Sequence, residues 1–290
     1  MQTNKNNTSA PIGVFDSGYG GLTVVRQIIK QLPCEDVIYL GDTMRCPYGP
    51  RSQKQVDGYV QQICAWLIDR GVKMIVIACN TATAAGLAHA QQTFDTPIIG
   101  VIEPGARAAV HATHNRRVGV IATKGTIESG AYSQAIRNLD AGITVFSTAT
   151  PRFVEIAEQG LRMDEGRLED FTARASSVYI RPAFREIAKE YLEPLRRADI
   201  DTLVLGCTHF PLLKALIGSV IGHDVKLISS AKEVSLDVSE ILNRQEALQP
   251  ADHEGRYDFF STAEDTDEFC RFGSRVLRRP MDSVGHISFD

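Results

Sequence analysis

Eight short runs in this chain are apolar nearly throughout rather than at every second position, and segments of helical periodicity separate them. They are IGVF (12–15), VIYL (37–40), MIVIA (74–78), IIGV (98–101), VGVIA (118–122), ITVFS (143–147), TLVLG (202–206) and VKLIS (225–229). A strand apolar on both sides must be covered on both sides, and regular alternation with helices is what parallel strands joined by right-handed crossovers require. The pattern therefore predicts an α/β fold of doubly wound parallel sheets. Helices are expected at GLTVVRQIIKQL (21–32) and QVDGYVQQICAWLIDRG (55–71), the second closed by Gly71.

The two halves of the chain echo each other. IGVFDSGYGG at 12–21 has a counterpart in VGVIATKGTI at 118–127, and MIVIACNTATA at 74–84 has one in TLVLGCTHFPLL at 202–213. The repeated order predicts two α/β lobes related by pseudo-symmetry. Residues 151 to 200, which include REIAKEYLEPLRRADID, read as mostly charged helix, a crossover with one solvated face. After residue 240 the pattern changes to a strand at RYDFFSTAE, a helix at DEFCRFGSRVL and a final strand at VGHISFD, a tail expected to pack on one of the lobes.

Composition removes several classes of function. A length of 290 residues favours two domains, and 43% hydrophobic with 23% charged residues leaves little room for extensive disorder. The net charge is −4, and no basic run is longer than a pair of arginines, so no nucleic-acid partner is expected. The opening MQTNKNNTSA lacks the apolar centre of a signal peptide, and no run approaches the ~18 apolar residues of a membrane span, which makes a cytoplasmic protein without a membrane partner the expectation. Six cysteines, at 34, 46, 64, 79, 207 and 270, show no C-x-x-C spacing and are too sparse for a disulfide framework.

Two of those cysteines stand where ligands collect. Cys79 and Cys207 close apolar strands, and each is followed by threonine or Asn-Thr and then by a helical pattern. In open α/β sheets the crevice outside the carboxyl ends of the strands is the binding site. Helix N-termini there favour anions, thiolates included. If the lobes face one another, the two thiols reach one small ligand from opposite sides. Inversion of a carbon by proton transfer needs this arrangement, a base on one face and an acid on the other. The alternative is that both are small core residues that happen to end strands.

Other residues supply candidate contacts. Asp16 could hold an ammonium and Ser17 could donate or accept, while Gly18, Gly20 and Gly21 allow close backbone approach. The loop lacks G-K-[ST] and G-x-G-x-x-G, which argues against a nucleotide. In CPYGP the amides of Tyr48 and Gly49 could bind a carboxylate, or the segment is an ordinary Pro-Gly turn. His209 follows Cys207 by two residues, and no histidine shows zincin or Cys-His spacing, so no metal is expected. Acyl transfer by Cys207 with His209 as base is an alternative. His209 is better placed to donate to a substrate or to set the protonation of Cys207.

FDSGYGGLTV, DTMRCPYGPRS, ACNTATA, IIGVIEPG and GCTHFPLL, in that order, resemble the aspartate/glutamate racemase family, and within it the cofactor-independent glutamate racemases that interconvert L- and D-glutamate for peptidoglycan. The likeness runs from about residue 11 to ISSAKEVSLDV near 238. It implies an active site between two lobes, residues 1–103 with 226–290 forming the Cys79 lobe and 104–225 the Cys207 lobe. By this resemblance Cys79 acts on D-glutamate and Cys207 on L-glutamate, without a cofactor. Asp16, Ser17, Tyr48, Gly49, Asn80, Thr81, Thr208 and His209 fall on substrate-contacting positions, Glu158 assists near the second cysteine, and Thr126 belongs to the site. A homodimer is implied too. Phe210 departs from the tyrosine usual after C-T-H, and the segment 161–200 is longer than the family norm. Aspartate racemisation, a non-catalytic dicarboxylic amino-acid binding protein and a redox protein with a Cys79–Cys207 disulfide are the competing readings.

Overall fold

The structure, a computed structural model, describes residues 8–164, 166–171 and 177–289. The first half runs β1 (Ile12–Asp16), α1 (Leu22–Gln31), β2 (Val37–Gly41), α2 (Gln53–Ile68), β3 (Met74–Ile77), α3 (Asn80–Thr93), β4 (Ile98–Gly100) and α4 (Ile102–Ala112). The second runs β5 (Arg117–Ala122), α5 (Lys124–Glu128), α6 (Ala131–Leu139), β6 (Thr144–Ala149), α7 (Arg152–Met163), α8 (Pro182–Arg197), β7 (Thr202–Gly206), α9 (Lys214–Ile221), β8 (Lys226–Ser229) and α10 (Ser230–Arg244). The tail adds β9 (Tyr257–Ser261), α11 (Asp267–Leu277) and β10 (Gly285–His286).

Every strand pairing among the described residues is parallel. One sheet has the order β10-β9-β2-β1-β3-β4 and the other β6-β5-β7-β8. Within them β2-β1-β3-β4 and β6-β5-β7-β8 are the same arrangement, so the sequence echo is a structural repeat: β1 corresponds to β5 and β3 to β7. β1, β2, β3 and β7 are buried at every residue, as the continuously apolar runs require. β6 differs. It forms at the expected place but is the edge of its sheet, and all six of its residues stay exposed or half-buried.

Local sequence explains the helix positions. Ser52 caps α2 by accepting the Gln55 N–H, and the Gln55 side chain returns to the Ser52 amide, a capping box that starts the helix at residue 53. In α8 the buried residues Phe184, Ala188, Leu192 and Leu195 form one stripe at helical spacing, leaving the charged residues between them toward solvent. Residues 165 and 172–176 of the expected charged crossover lie outside the described residues, as do 1–7 and 290.

The second sheet extends past residue 225, because β8 pairs with β7. The boundary between lobes therefore falls after β8 rather than before it, and α10, packed on α1 and α4, leads the chain back. β9 then adds to β2, placing the tail on the first sheet. A buried ion pair fixes this return: Lys73 Nζ lies 2.5 Å from Glu35 Oε2 and donates to the carbonyls of Thr8 and Ala247. Among the described residues no helix is long and apolar enough to cross a membrane.

Candidate active site

The thiols occupy equivalent places in the repeat. β3 ends at Ile77, and the extended backbone of Cys79 caps α3, its carbonyl accepting the Thr83 N–H at 2.8 Å. β7 ends at Gly206, and Cys207 follows. The helix expected directly after Cys207 is delayed: a 3-10 turn at Phe210–Leu213, with Pro211 in it, precedes α9. Phe210 is buried edge-on against Phe153 of α7, with ring centroids 5.5 Å apart, so the turn docks on that helix through apolar contact at the position where a tyrosine would have carried its hydroxyl inside.

Both cysteines line one cavity between the lobes, together with the predicted Ser17, Tyr48, Gly49, Asn80 and Thr81 from the first lobe and Thr208 and His209 from the second. Its volume is about 30 Å³, enough for one or two water molecules. Asp16 lies just behind, fully buried at the end of β1. Its Oδ1 accepts the Gly18 N–H at 2.9 Å and its Oδ2 accepts the Thr208 hydroxyl at 3.1 Å across the cleft. Thr126 does not line the cavity. Its hydroxyl lies 3.2 Å from that of Thr81 and 3.0 Å from that of Thr123, and the Thr81 and Thr123 hydroxyls are 2.8 Å apart, a three-threonine cluster joining α3 to the start of α5. Close by, the Gly125 N–H donates to the Gly49 carbonyl at 3.0 Å.

The hydroxyl of Tyr48 is engaged away from the thiols. It donates to Asp42, whose carboxylate also takes the Arg45 Nε–H at 2.6 Å and the Thr262 hydroxyl at 2.9 Å. The Arg45 guanidinium lies over the rings of Tyr59 and Phe289, 4.1 and 4.7 Å from their centroids. The far end of the tail thus buttresses the loop that carries Tyr48 and Gly49.

Charges are distributed unequally between the two thiols. Burial pushes the Cys79 thiol up to about 12, with the Asp16 carboxylate adding to the effect and the Ala82 amide opposing it. On the other side His209 Nδ1 sits 3.8 Å from Cys207 Sγ, and Nε2 is 3.5 Å from Glu158 Oε1, an ion-pair distance without good hydrogen-bond alignment. Burial pulls His209 down, but Cys207 and Glu158 outweigh it and hold the imidazole well above its ordinary 6.5. Burial raises Glu158 while His209 and Arg162 lower it, and the net result is below 4.5. Asp16 is raised by its burial against the pull of His209, the Gly18 amide and Thr208. The first lobe therefore offers a protonated thiol, and the second a cation beside its sulfur.

All the residues singled out in the sequence meet at this cleft, as liners or one contact behind it. Four further liners were not: Cys46, Pro47, Thr123 and Val154. Thr123 was within reach, because the internal echo aligns it with Ser17. In the CPYGP segment the sequence points to the amides of Tyr48 and Gly49 and carries no separate signal for Cys46 and Pro47. Val154 carries no sequence signal beyond its place four residues before Glu158.

Comparison with known proteins agrees with this geometry. The chain is 45% identical over 279 residues to a glutamate racemase of Geobacter metallireducens, covering 96% of this chain and 97% of the relative. It is 44% identical over 276 residues to one of Listeria monocytogenes, covering 95% and 97%. Among solved structures it is similar to a glutamate racemase isoform from Bacillus anthracis, with a TM-score of 0.85, 41% identity and coverage of 97% and 98%. The glutamate racemase of Francisella tularensis in complex with D-glutamate gives a TM-score of 0.85 at 34% identity, with the same coverage. The sequence model of Asp/Glu/Hydantoin racemases matches residues 12–234, the span from β1 into α10 that builds the cleft from both lobes, and the chain accordingly belongs to that family.

Proposed function

We propose that this protein is a glutamate racemase that needs no cofactor, works by a thiol and a thiolate, and supplies D-glutamate for peptidoglycan. The observation that carries the reading is that two cysteines at equivalent strand ends, one from each lobe, line a single cavity. Cys207, beside the protonated His209, takes the α-proton of L-glutamate. Cys79, which holds its proton, delivers it to the opposite face. The products are D-glutamate, a Cys207 thiol and a Cys79 thiolate at the N-terminus of α3, where the Ala82 amide and the helix dipole favour the anion. The reverse reaction restores the starting form. Asp16 attracts the substrate ammonium, and the Gly49, Asn80 and Thr81 groups serve the carboxylates.

Magnitudes say where the catalytic effort lies. Ionising an ordinary thiol costs about 2 kcal/mol at neutral pH and one held near 12 roughly 7 kcal/mol, whereas enzymes commonly remove about 8–23 kcal/mol from a barrier. Most of the effect must come from donors fixed in advance around the carbanionic transition state and from exclusion of water. A cavity of about 30 Å³ fits the second requirement.

The test is incubation with L-glutamate in deuterated water without added cofactor. D-glutamate carrying deuterium at Cα is the expected product, with aspartate as the competing substrate. Folded protein that exchanges no α-proton of glutamate would overturn the proposal.

The His209–Glu158 pair has a pH signature. His209, raised above 6.5, contributes stability that is complete below that value and is lost as pH rises through its raised folded value. Glu158, lowered below 4.5, contributes above that value and fades as pH falls through its lowered one. The pair is thus at full strength between about 4.5 and 6.5. Glu158→Gln removes one of the two groups that keep the proton on His209. The alkaline limb of kcat/KM for L-glutamate is expected to move to lower pH, as a pH–rate profile would reveal.

A further inference from the structure

We propose that Tyr132 is a positioning residue that aims the Asn80 amide into the cleft and so sets the affinity for the amino acid, an inference that rests on the racemase reading. Tyr132 lies on α6, in the second lobe, and is 2% exposed. Its hydroxyl donates to Asn80 Oδ1 at 2.7 Å, across the lobe boundary. This fixes which end of the Asn80 amide is which: the oxygen is taken by Tyr132, and the NH₂ group points elsewhere.

Among the described residues that NH₂ group has no partner. Asn80 is 3% exposed, it lines the cavity, and its Nδ2 is a buried donor without an acceptor. A buried donor left unpaired is unfavourable. A carboxylate in the cleft would supply the missing acceptor, so a donor already aimed there favours binding. Without the Tyr132 hydroxyl the amide is free to rotate, and the preset donor is lost.

The same side chain touches the other half of the site. A Cβ on Gly206, the residue before Cys207, would lie 3.0 Å from Tyr132 Cε2, and one on Gly105 would lie 3.2 Å from the Tyr132 hydroxyl. Glycine at both places lets the ring slide under the strand end that carries Cys207 while its hydroxyl reaches the residue after Cys79. One tyrosine therefore contacts the chain neighbour of each thiol.

The experiment is a double-mutant cycle on the full-length protein with Tyr132→Phe and Asn80→Ala, reading KM, kcat and glutamate affinity by calorimetry. Phenylalanine keeps the ring under Gly206 and removes only the hydroxyl. Tyr132→Phe is expected to weaken glutamate binding and raise KM by roughly 3–10-fold, the worth of one buried hydrogen bond, with kcat changed less. In the Asn80→Ala background the same substitution should do nothing further. Equal losses in both backgrounds, a loss confined to kcat, or no change from Tyr132→Phe would each overturn the proposal. Wild-type protein that neither racemises nor binds glutamate would instead overturn the reading beneath it.

Discussion

Cys79→Ser and Cys207→Ser are each expected to lower racemisation by on the order of 10²–10⁴-fold, the usual contribution of a positioned acid or base, while glutamate still binds. A serine hydroxyl is close in size to a thiol but ionises far less readily, so the change removes proton transfer and little else. The two variants should fail differently. With Cys79 replaced, Cys207 can still take the α-proton of L-glutamate, exchange it with solvent and return it to the same face. Cys79→Ser should therefore wash deuterium slowly into L-glutamate alone, and Cys207→Ser into D-glutamate alone. Cys34 and Cys270 lie outside the cavity and are only partly buried, so serine at either should change little. Equal activity in all four variants, or exchange of both enantiomers by both cleft variants, would end the two-base assignment. Cys46 is no control, because its thiol lines the cleft and its burial there raises it well above an ordinary cysteine.

Much of this arrangement was legible in the chain, for identifiable reasons. A run such as MIVIA is apolar on both faces and can only be an internal strand, so β3 was readable from composition over five residues. The likeness between MIVIACNTATA and TLVLGCTHFPLL placed both thiols because a repeated strand-and-crossover order repeats its strand ends in space. Hydrophobicity alone could not separate an internal strand from an edge. ITVFS carries Ile143, Val145 and Phe146 much as an internal run would, yet β6 has a neighbour on one side only and remains partly open. Contacts between lobes were illegible for another reason. Tyr132 and Asn80 are 52 residues apart, and Thr208 and Asp16 are 192 apart, so no local pattern links them. Their pairing follows from how two folded surfaces meet.

Gly20→Ala tests that meeting of surfaces with the smallest change available, and kcat/KM is expected to fall by about 10²-fold, the penalty typical of a 1 Å misplacement in a catalytic site. A methyl group on Gly20 would collide with the Thr208 hydroxyl and come within 2.7 Å of His209 Nδ1 and 2.8 Å of its Cε1. Neither neighbour can yield without consequence. The Thr208 hydroxyl is bonded to Asp16, and the His209 ring is set between Cys207 and Glu158. Because the obstruction belongs to the opposite lobe, repacking within the first lobe gives no relief, and the cleft must widen beside Cys207. The cost to folding should be modest, about 1–3 kcal/mol for an extra methyl in a tight contact, since each lobe keeps its own core. Gly58→Ala is the matched control: it sits on α2 with nothing within 4 Å of the added carbon. Alanine there should stabilise the helix by about 0.5–1 kcal/mol and leave turnover unchanged. Full activity in Gly20→Ala would mean that racemisation proceeds with the lobes farther apart than they stand here, and that the contacts between Thr208, His209 and the glycine loop are not those of the working site.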